Sequence, residues 1–436
     1  MSAASQNSAG HAVFSRVTGA GVAGIATLLL DGDEALMRLE RVFVRKGELQ
    51  VAGAGRPRPI NDGAALFGRI VDLDGRAIDE VVVAALNAKS SPTGNPQVEL
   101  SCHGGEGVLA AIETALLDAG FARARATELL ERAHLNGKLS LIALEARIRL
   151  ANAVTARQAE FLLCATALKD RWERHGFDMA LGLREKRSDW RPALIRAAEE
   201  ALAAAKHARA LLQRHTLAII GPVNAGKSTL ANLLARADRH IVSATPGTTR
   251  DRLDTPLDIL GLHVLLSDTA GLQPSDDPVE LEGQRRARAA ANEAALRAAV
   301  IDGSRAPQDS DIDFLKETAA SGPMIFILNK KDLGLDETAA GLGFVIGQEP
   351  VAISAQTGEG LDALEAAIEA RLLGPAAAAA LVSGAPFTSR QVQRLEEFRA
   401  GLLDDQHQHG MDVIVHLRKL IGTRPDPHEL AQALKL

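Results

Sequence analysis

The sequence predicts an α/β architecture: alternating strands and helices over residues 214–373, inserted into an all-α helical domain, with an α+β domain ahead of both. Three observations predict it. Between residues 215 and 373 short apolar runs alternate with segments of helical spacing, the pattern of a mainly parallel sheet covered on both faces. On either side, residues 119–213 and 387–436 read as helix, the first of them rich in Ala, Leu, Arg and Glu. Ahead of them, residues 1–118 carry short β-like runs broken by glycine.

In chain order, the first region offers strands at Gly24–Leu30, Arg41–Val44 and Ile78–Leu86. The spacing of Ala193–Arg214 predicts one long helix. The alternating region offers strands at Thr216–Ile220, Asp254–Leu260, His263–Leu266, Ala299–Ile301, Met324–Leu328 and Pro350–Ile353. Gly374–Pro386, with its run Ala376–Ala380, reads as a linker. The expected division is therefore 1–118, 119–213, 214–373 and 374–436, in line with roughly 100–200 residues per domain.

Composition narrows the classes. Hydrophobic residues make up 46% of the 436, enough for a sizeable core, and the net charge of −6 shows no global basic excess of the kind that advertises nucleic-acid binding. The two cysteines, Cys102 and Cys164, make neither a disulfide framework nor a clustered zinc site. The start MSAASQNSAGHAVF has no basic-then-apolar pattern, and no run of about 18 apolar residues occurs. No signal peptide, no membrane span and a cytoplasmic location are expected.

The chemistry begins where the strand ending Ile219-Ile220 meets Gly221-Pro222-Val223-Asn224-Ala225-Gly226-Lys227-Ser228, followed by a helical run from Thr229. This is GxxxxGK[ST] in its required strand–loop–helix setting, a phosphate loop, and with the motifs that follow it the inserted domain reads as a P-loop G domain. The glycines let backbone N–H groups of the loop, Asn224 and Ala225 among them, curl around phosphates, and the helix N-terminus adds partial positive charge. Lys227 neutralises the outer phosphates, and the Ser228 hydroxyl ligates magnesium, with Thr229 beside it.

Asp268-Thr269-Ala270-Gly271 follows the apolar run Val264–Leu266. A carboxylate there can hold the magnesium shell, and the Gly271 N–H can meet a γ-phosphate. Between the two motifs, Gly247-Thr248-Thr249-Arg250-Asp251 offers a threonine, Thr249, to cap the magnesium. Asn329-Lys330-Lys331-Asp332 follows Met324–Leu328. The Asp332 carboxylate can accept two hydrogen bonds from guanine N1–H and N2–H₂, a pair that adenine cannot supply. Asn329 braces the loop, and Ser354-Ala355 offers a backbone N–H to guanine O6. The order of these motifs, each at a strand end, predicts binding and hydrolysis of GTP, with GDP and Mg²⁺ as companions.

Segments in and beyond this core resemble the MnmE (TrmE) family of tRNA-modification GTPases. Gly221–Leu230, Ile241–Asp251, Asp268–Leu272 and Asn329–Asp332 are similar in the G domain. Outside it, Val98–Gly105 resembles the family's VE-hydrophobic-x-x-HGG segment, and Arg132–Leu139 its RAFLNGKLDL segment. The resemblance implies a K⁺-stimulated GTPase that forms a homodimer through its N-terminal domain. It also implies an MnmG-like partner, tRNA as substrate and a tetrahydrofolate-derived one-carbon unit. It makes Asn224 the K⁺ ligand, covered by the Ile241–Pro246 loop, and Glu280 the residue that orients the attacking water. Glu280, Lys227 and Thr249 are thus the expected catalytic set.

Three departures from the family pattern stand beside this. The chain ends Ala431-Gln432-Ala433-Leu434-Lys435-Leu436, where the family pattern has Cys-Ile-Gly-Lys. Leu29 replaces an arginine, and Asn95-Pro96 replace two acids. These predict weak or absent tetrahydrofolate binding, with Arg132, Asn136 and Lys138 left as the folate neighbours, and Cys102 as a core residue. Two readings follow: an enzyme of tRNA wobble-uridine modification, or a regulatory GTPase of the same architecture that has lost one-carbon chemistry and acts through partner binding.

Overall fold

The computed structural model describes residues 11–46 apart from 20 and 22, together with 65–165, 168, 171–175, 190–237, 255–267, 293–374 and 385–403. These form two compact units, one running to Ile148 and the other beginning at Arg149.

The first unit is built on seven strands: β1 (Val13–Arg16), β2 (Ile25–Asp31), β3 (Phe43–Arg45), β4 (Ala65–Val71), β5 (Ala77–Leu86), β6 (Gln97–His103) and β7 (Ala122–Arg123). Their order across the sheet is β3-β4-β5-β6-β2-β1-β7. All neighbours are antiparallel except β1 and β7, which run parallel. Period-2 alternation sets the buried face: Leu28 and Leu30 of β2, Val81 and Val83 of β5, and Val98 and Leu100 of β6 are all buried. They meet Leu109, Ile112 and Leu116 of helix α2 (Glu106–Asp118), which lies downstream of the short α1 (Ala35–Leu39). Each fully buried aliphatic side chain contributes about 1.5–3 kcal/mol. Leu29 points the other way, into a small cluster with Val13, Ala124 and Leu129, the last on α3 (Ala126–Leu135). Helix α4 (Leu141–Leu150) follows.

The second unit opens on α5 (Ala156–Leu163), started by a capping box in which the Gln158 N–H donates to Thr155 Oγ1 while Gln158 Oε1 accepts from the Thr155 N–H. The long helix expected at Ala193–Arg214 is α6 (Trp190–Leu211), which buries an alanine-rich stripe at Ala197, Ala198, Ala201, Ala205 and Ala208. Next come β8 (His215–Ile220), α7 (Lys227–Ala237), β9 (Thr255–Ile259), β10 (Leu262–Ser267), β11 (Leu296–Asp302), α8 (Asp309–Ser321) and β12 (Met324–Asn329). They are followed by α9 (Glu337–Ile346), β13 (Val351–Ala352), α10 (Leu361–Leu373) and α11 (Ser389–Leu403). Helix α11 returns to pack on α6, so helices before and after the sheet belong to one layer.

The six strands run in the order β13-β12-β11-β8-β10-β9, all parallel except the antiparallel edge strand β9. The central strands β8, β11 and β12 are apolar almost throughout, as strands buried on both faces must be. Register then places the site. Ala299 stands opposite Ile220, and Asp302 opposite Asn329, so β8, β11 and β12 end at one edge of the sheet. The turns that follow them converge there, at the carboxyl ends where open α/β sheets bind ligands.

Candidate functional site

The turn after β8 is the phosphate loop. A Cβ at Gly221 would lie 2.2 Å from the Val300 carbonyl oxygen, so a side chain there would drive the loop away from β11. Gly226 has φ +92, and its Cβ would sit 2.1 Å from Asn329 Nδ2. Between them Asn224 takes the left-handed conformation, φ 62, which asparagine tolerates. The loop runs directly into α7, whose first residues are Lys227, Ser228 and Thr229. The Ser228 and Thr229 side chains are exposed at that helix N-terminus. Lys227 Nζ arches back over the loop and donates to Gly221 O at 2.9 Å and Pro222 O at 2.7 Å. Burial lowers the pKa of this ammonium.

Asn329 ties three turns together. It is 2% exposed. Its Nδ2 donates to Ala225 O of the phosphate loop at 2.8 Å, and its Oδ1 accepts the Ala355 N–H at 2.9 Å. Asn329 thus has hydrogen-bond partners in two other turns. The Ala355 N–H, expected to face guanine O6, donates to Asn329 in this structure. Ser354 is fully buried; its N–H donates to Glu359 O, and its Oγ accepts from the Thr357 N–H. The Lys331 N–H donates to Ile353 O at 3.0 Å, joining the base loop to the end of β13.

Asp332 lies in the short 3₁₀ turn Lys331–Leu333 and is exposed at the same sheet edge. Lys330, just before it, takes the left-handed conformation, φ 66. Its Nζ donates to Asp302 Oδ2 at 2.7 Å. Asp302 Oδ1 accepts from the Ser304 N–H at 3.1 Å and its hydroxyl at 2.6 Å. Burial pushes the Asp302 carboxyl upward, but the hydrogen bonds from Lys330 and Ser304 outweigh it and hold the pKa below the usual value.

The described site therefore gathers Gly221, Asn224, Ala225, Gly226, Lys227, Ser228, Thr229, Asn329, Lys330, Asp332, Ser354 and Ala355 at one edge of the sheet. Thr248, Thr249, Asp268, Gly271, Glu280 and the Ile241–Pro246 loop lie outside the described residues. The sequence reading missed Asp302. It ended that strand at Ile301, one residue short of the acid. The available signal was an acid at the end of an apolar strand, in the strand before Asn329-Lys330-Lys331-Asp332.

In the first unit, the groups left as folate neighbours already have protein partners. Arg132 donates to Asp31 Oδ1 and His11 O, both at 2.9 Å. Asn136 Nδ2 donates to Asn95 Oδ1 and Thr93 O, and Lys138 Nζ to Lys89 O. The fully buried Asp31 carboxylate also accepts from Asn95 Nδ2 and the Thr93 hydroxyl. Leu29, where the family pattern has arginine, packs in an apolar cluster with Val13, Ala124 and Leu129. Cys102 is buried, and burial together with the Asp79 charge pushes its thiol up to about 11. No helix among the described residues is long and apolar enough to cross a membrane.

A strand–loop–helix phosphate cradle, cross-tied to a base-reading loop at the carboxyl edge of a parallel sheet, defines a P-loop GTPase. A family model described as 50S ribosome-binding GTPase matches residues 216–330. A second, described as GTP-binding protein TrmE N-terminus, matches residues 12–138. The tRNA modification GTPase MnmE of Rhodospirillum rubrum is 36% identical over 417 residues, covering 89% of both chains. That of Caulobacter vibrioides is 33% identical over 422 residues, covering 89% of this chain and 88% of its own. The human mitochondrial 5-taurinomethyluridine-[tRNA] synthase subunit GTPB3 is 34% identical over 397 residues, covering 83% of this chain and 78% of its own. The chain belongs to the MnmE (TrmE) family, and it is a GTPase.

Proposed function

We propose that this GTPase acts in modification of the tRNA wobble uridine, as a cytoplasmic homodimer working with an MnmG-like protein. The observation that carries this is the extent of the match: relatives named as tRNA modification GTPases align along 89% of this chain, well beyond the G domain. A regulatory GTPase of the same architecture, acting through partner binding without one-carbon chemistry, would share that similarity, but the relatives matched along most of the chain are named for tRNA modification. The reading that separates the chain from tRNA modification is therefore not favoured. The four-part division at 118, 213 and 373 belongs to the same proposal.

The residue roles belong to the same proposal, and the described part of the site supports those it contains. The loop from Gly221 to Gly226 and the first turn of α7 bind the phosphates through backbone N–H groups, helped by Lys227. Ser228, with Thr249 and Asp268, would hold Mg²⁺; its hydroxyl is exposed at the helix N-terminus, as a metal ligand requires. Asn224, exposed on the loop, would hold K⁺, whose charge stands in for an arginine finger. Gly271 and Thr248 meet the γ-phosphate region, Glu280 orients the attacking water, and Asp332 reads guanine.

The test is restoration of wobble-uridine modification in a cell lacking its own MnmE, scored on isolated tRNA. The chain should restore it and Ser228→Ala should not. Active GTP hydrolysis without any restored modification would refute the tRNA assignment while leaving the GTPase intact.

A further inference from the structure

We propose that Arg157 links the nucleotide site to the helical layer, carrying the difference between bound GTP and bound GDP into helix α5. Two elements leave the nucleotide edge of the sheet and end against this one side chain. Strand β10 finishes at Ser267, next to Asp268 in the sequence, and its other end is the tip of the β9–β10 hairpin. Helix α10 follows the turn that holds Ala355, and Glu369 lies toward its far end. A single nitrogen of Arg157, Nη1, donates to Leu260 O of the hairpin tip at 2.7 Å and to Glu369 Oε1 at 2.5 Å. Thr155, which caps α5, donates its hydroxyl to Gly261 O at 2.6 Å. Gln158 of the same helix donates to Leu211 O at 2.9 Å, so the grip on the hairpin is continuous with α6.

The hairpin tip is shaped for this contact. Register pairs Ile259 with Leu262, leaving Leu260 and Gly261 as a two-residue turn, both at positive φ, 51 and 84. Turns of this kind favour asparagine, aspartate or glycine at the first position. A leucine there is strained, and its side chain is 43% exposed, so packing does not offset the strain. The carbonyl of that strained residue is the one Arg157 holds. Gly261 fits because it has no side chain: a Cβ there would lie 2.4 Å from Arg157 Cβ. Backbone strain kept where two layers meet points to a function beyond packing. Strand β10 is hydrogen-bonded on both sides, to β8 and to β9, and a strand held in that way shifts as one piece. A shift at Ser267 that answers the γ-phosphate therefore reaches Gly261, and Arg157 passes it to α5. Through Glu369 the same guanidinium is tied to the helix that follows the base-side turn, so both halves of the nucleotide site bear on α5.

This coupling rests on the proposed nucleotide site, so binding is measured first. GDP and the non-hydrolysable guanosine 5′-[β,γ-imido]triphosphate are titrated into the full chain with Mg²⁺. Hydrogen exchange of the α5 amides, residues 156–163, is then compared between the two complexes. The unaltered chain should show a difference of about fivefold or more, the lower end of ordinary coupling between sites. In Arg157→Ala the difference should vanish. By reciprocity the same variant should change the ratio of the two nucleotide affinities by a comparable factor, whereas a residue that only props the fold would shift both affinities alike. Should Arg157→Ala fold poorly, Glu369→Gln loosens one branch and leaves α5 and the hairpin intact. It should shrink the difference in exchange, and an unchanged difference there overturns the coupling. Equal α5 exchange in the two complexes of the unaltered chain overturns it while the nucleotide site stands. So does a difference that survives Arg157→Ala, or an affinity ratio that the variant leaves unchanged. Absence of nucleotide binding would sink the site and the coupling together.

Discussion

Single residues carry the nucleotide chemistry, and two of them give sharp predictions. Asp332 stands exposed at the sheet edge with a carboxylate free of the tethers that hold Asp302. Two hydrogen bonds to an ionised group separate guanine from other purines. Asp332→Asn should therefore lower GTP affinity by at least about a hundredfold and favour xanthosine triphosphate instead. Competitive nucleotide titration checks this, and equal affinity for ATP and GTP in the unaltered chain would remove the basis of the claim. Asn224, left-handed and exposed on the phosphate loop, motivates the second. Hydrolysis should run faster in K⁺ than in Na⁺ at matched ionic strength, and Asn224→Ala should flatten the difference. Identical rates in both salts for the unaltered protein would exclude K⁺ as the charge at that position.

At the scale of elements, one side chain joins loops that belong to three different strand ends. Removing it by Asn329→Ala leaves Ala225 O and the Ala355 N–H without a partner, with residue 329 2% exposed. Each orphaned backbone group costs about 1–3 kcal/mol. Urea denaturation should show a loss on that scale, and GDP titration a matching fall in affinity, because the phosphate loop and the base loop are no longer held in one geometry. Intact stability would show that the loops are positioned independently. The strand pair β8–β10 carries a pH dependence. His215 is held below the usual histidine value by burial, despite its bond to Ala210 O, and His263 by burial and then by the Arg214 and His215 charges. A folded pKa below the unfolded one means that the folded chain binds fewer protons. The stabilisation is complete above the unfolded value of about 6.5 and is lost as pH falls below it. Melting temperature should thus drop between about pH 6.5 and 5, and the drop should be shallower in a His215→Gln/His263→Gln variant. Parallel curves would assign the acid sensitivity to other groups.

For the whole molecule, the first unit is a folded body with a polar cluster closed around the buried Asp31. Asp31 gathers Arg132, Asn95 and Thr93, and Asn136 closes onto Asn95. An acid in place of Asn95 would set a second carboxylate against the buried Asp31, so the amide suits this network. Breaking a buried ion pair to meet a ligand costs about 3–5 kcal/mol. Calorimetric titration with 5-formyltetrahydrofolate should accordingly show weak or absent binding, while light scattering shows a dimer. Micromolar folate binding would demand that the Asp31–Arg132 pair open. A monomer with and without nucleotide would count against the proposed dimer.

The sequence by itself determined the phosphate loop, because that motif is a local device. A phosphate loop needs only its glycines, its lysine and the strand and helix that flank it. That is why Gly221–Ser228 could be placed from spacing, and likewise the strands of the second sheet to within a residue or two in most cases. Continuous apolar runs such as Met324–Leu328 leave little choice of element. The first sheet was harder to read. β4 and β6 expose one face and interleave Arg69, Glu99 and Ser101 with apolar residues, so they carry no continuous run to find. Only the tertiary structure decided which distant residues meet. Asp302 reaches Lys330 because parallel register aligns two strand ends, Asn329 spans two other loops because both turns face one edge, and Arg132 finds Asp31 across 101 positions of chain. Spacing along the chain records periodicity and turns; it holds no record of which elements lie side by side, and that adjacency is what fixes the charge and hydrogen-bond partners of a buried group.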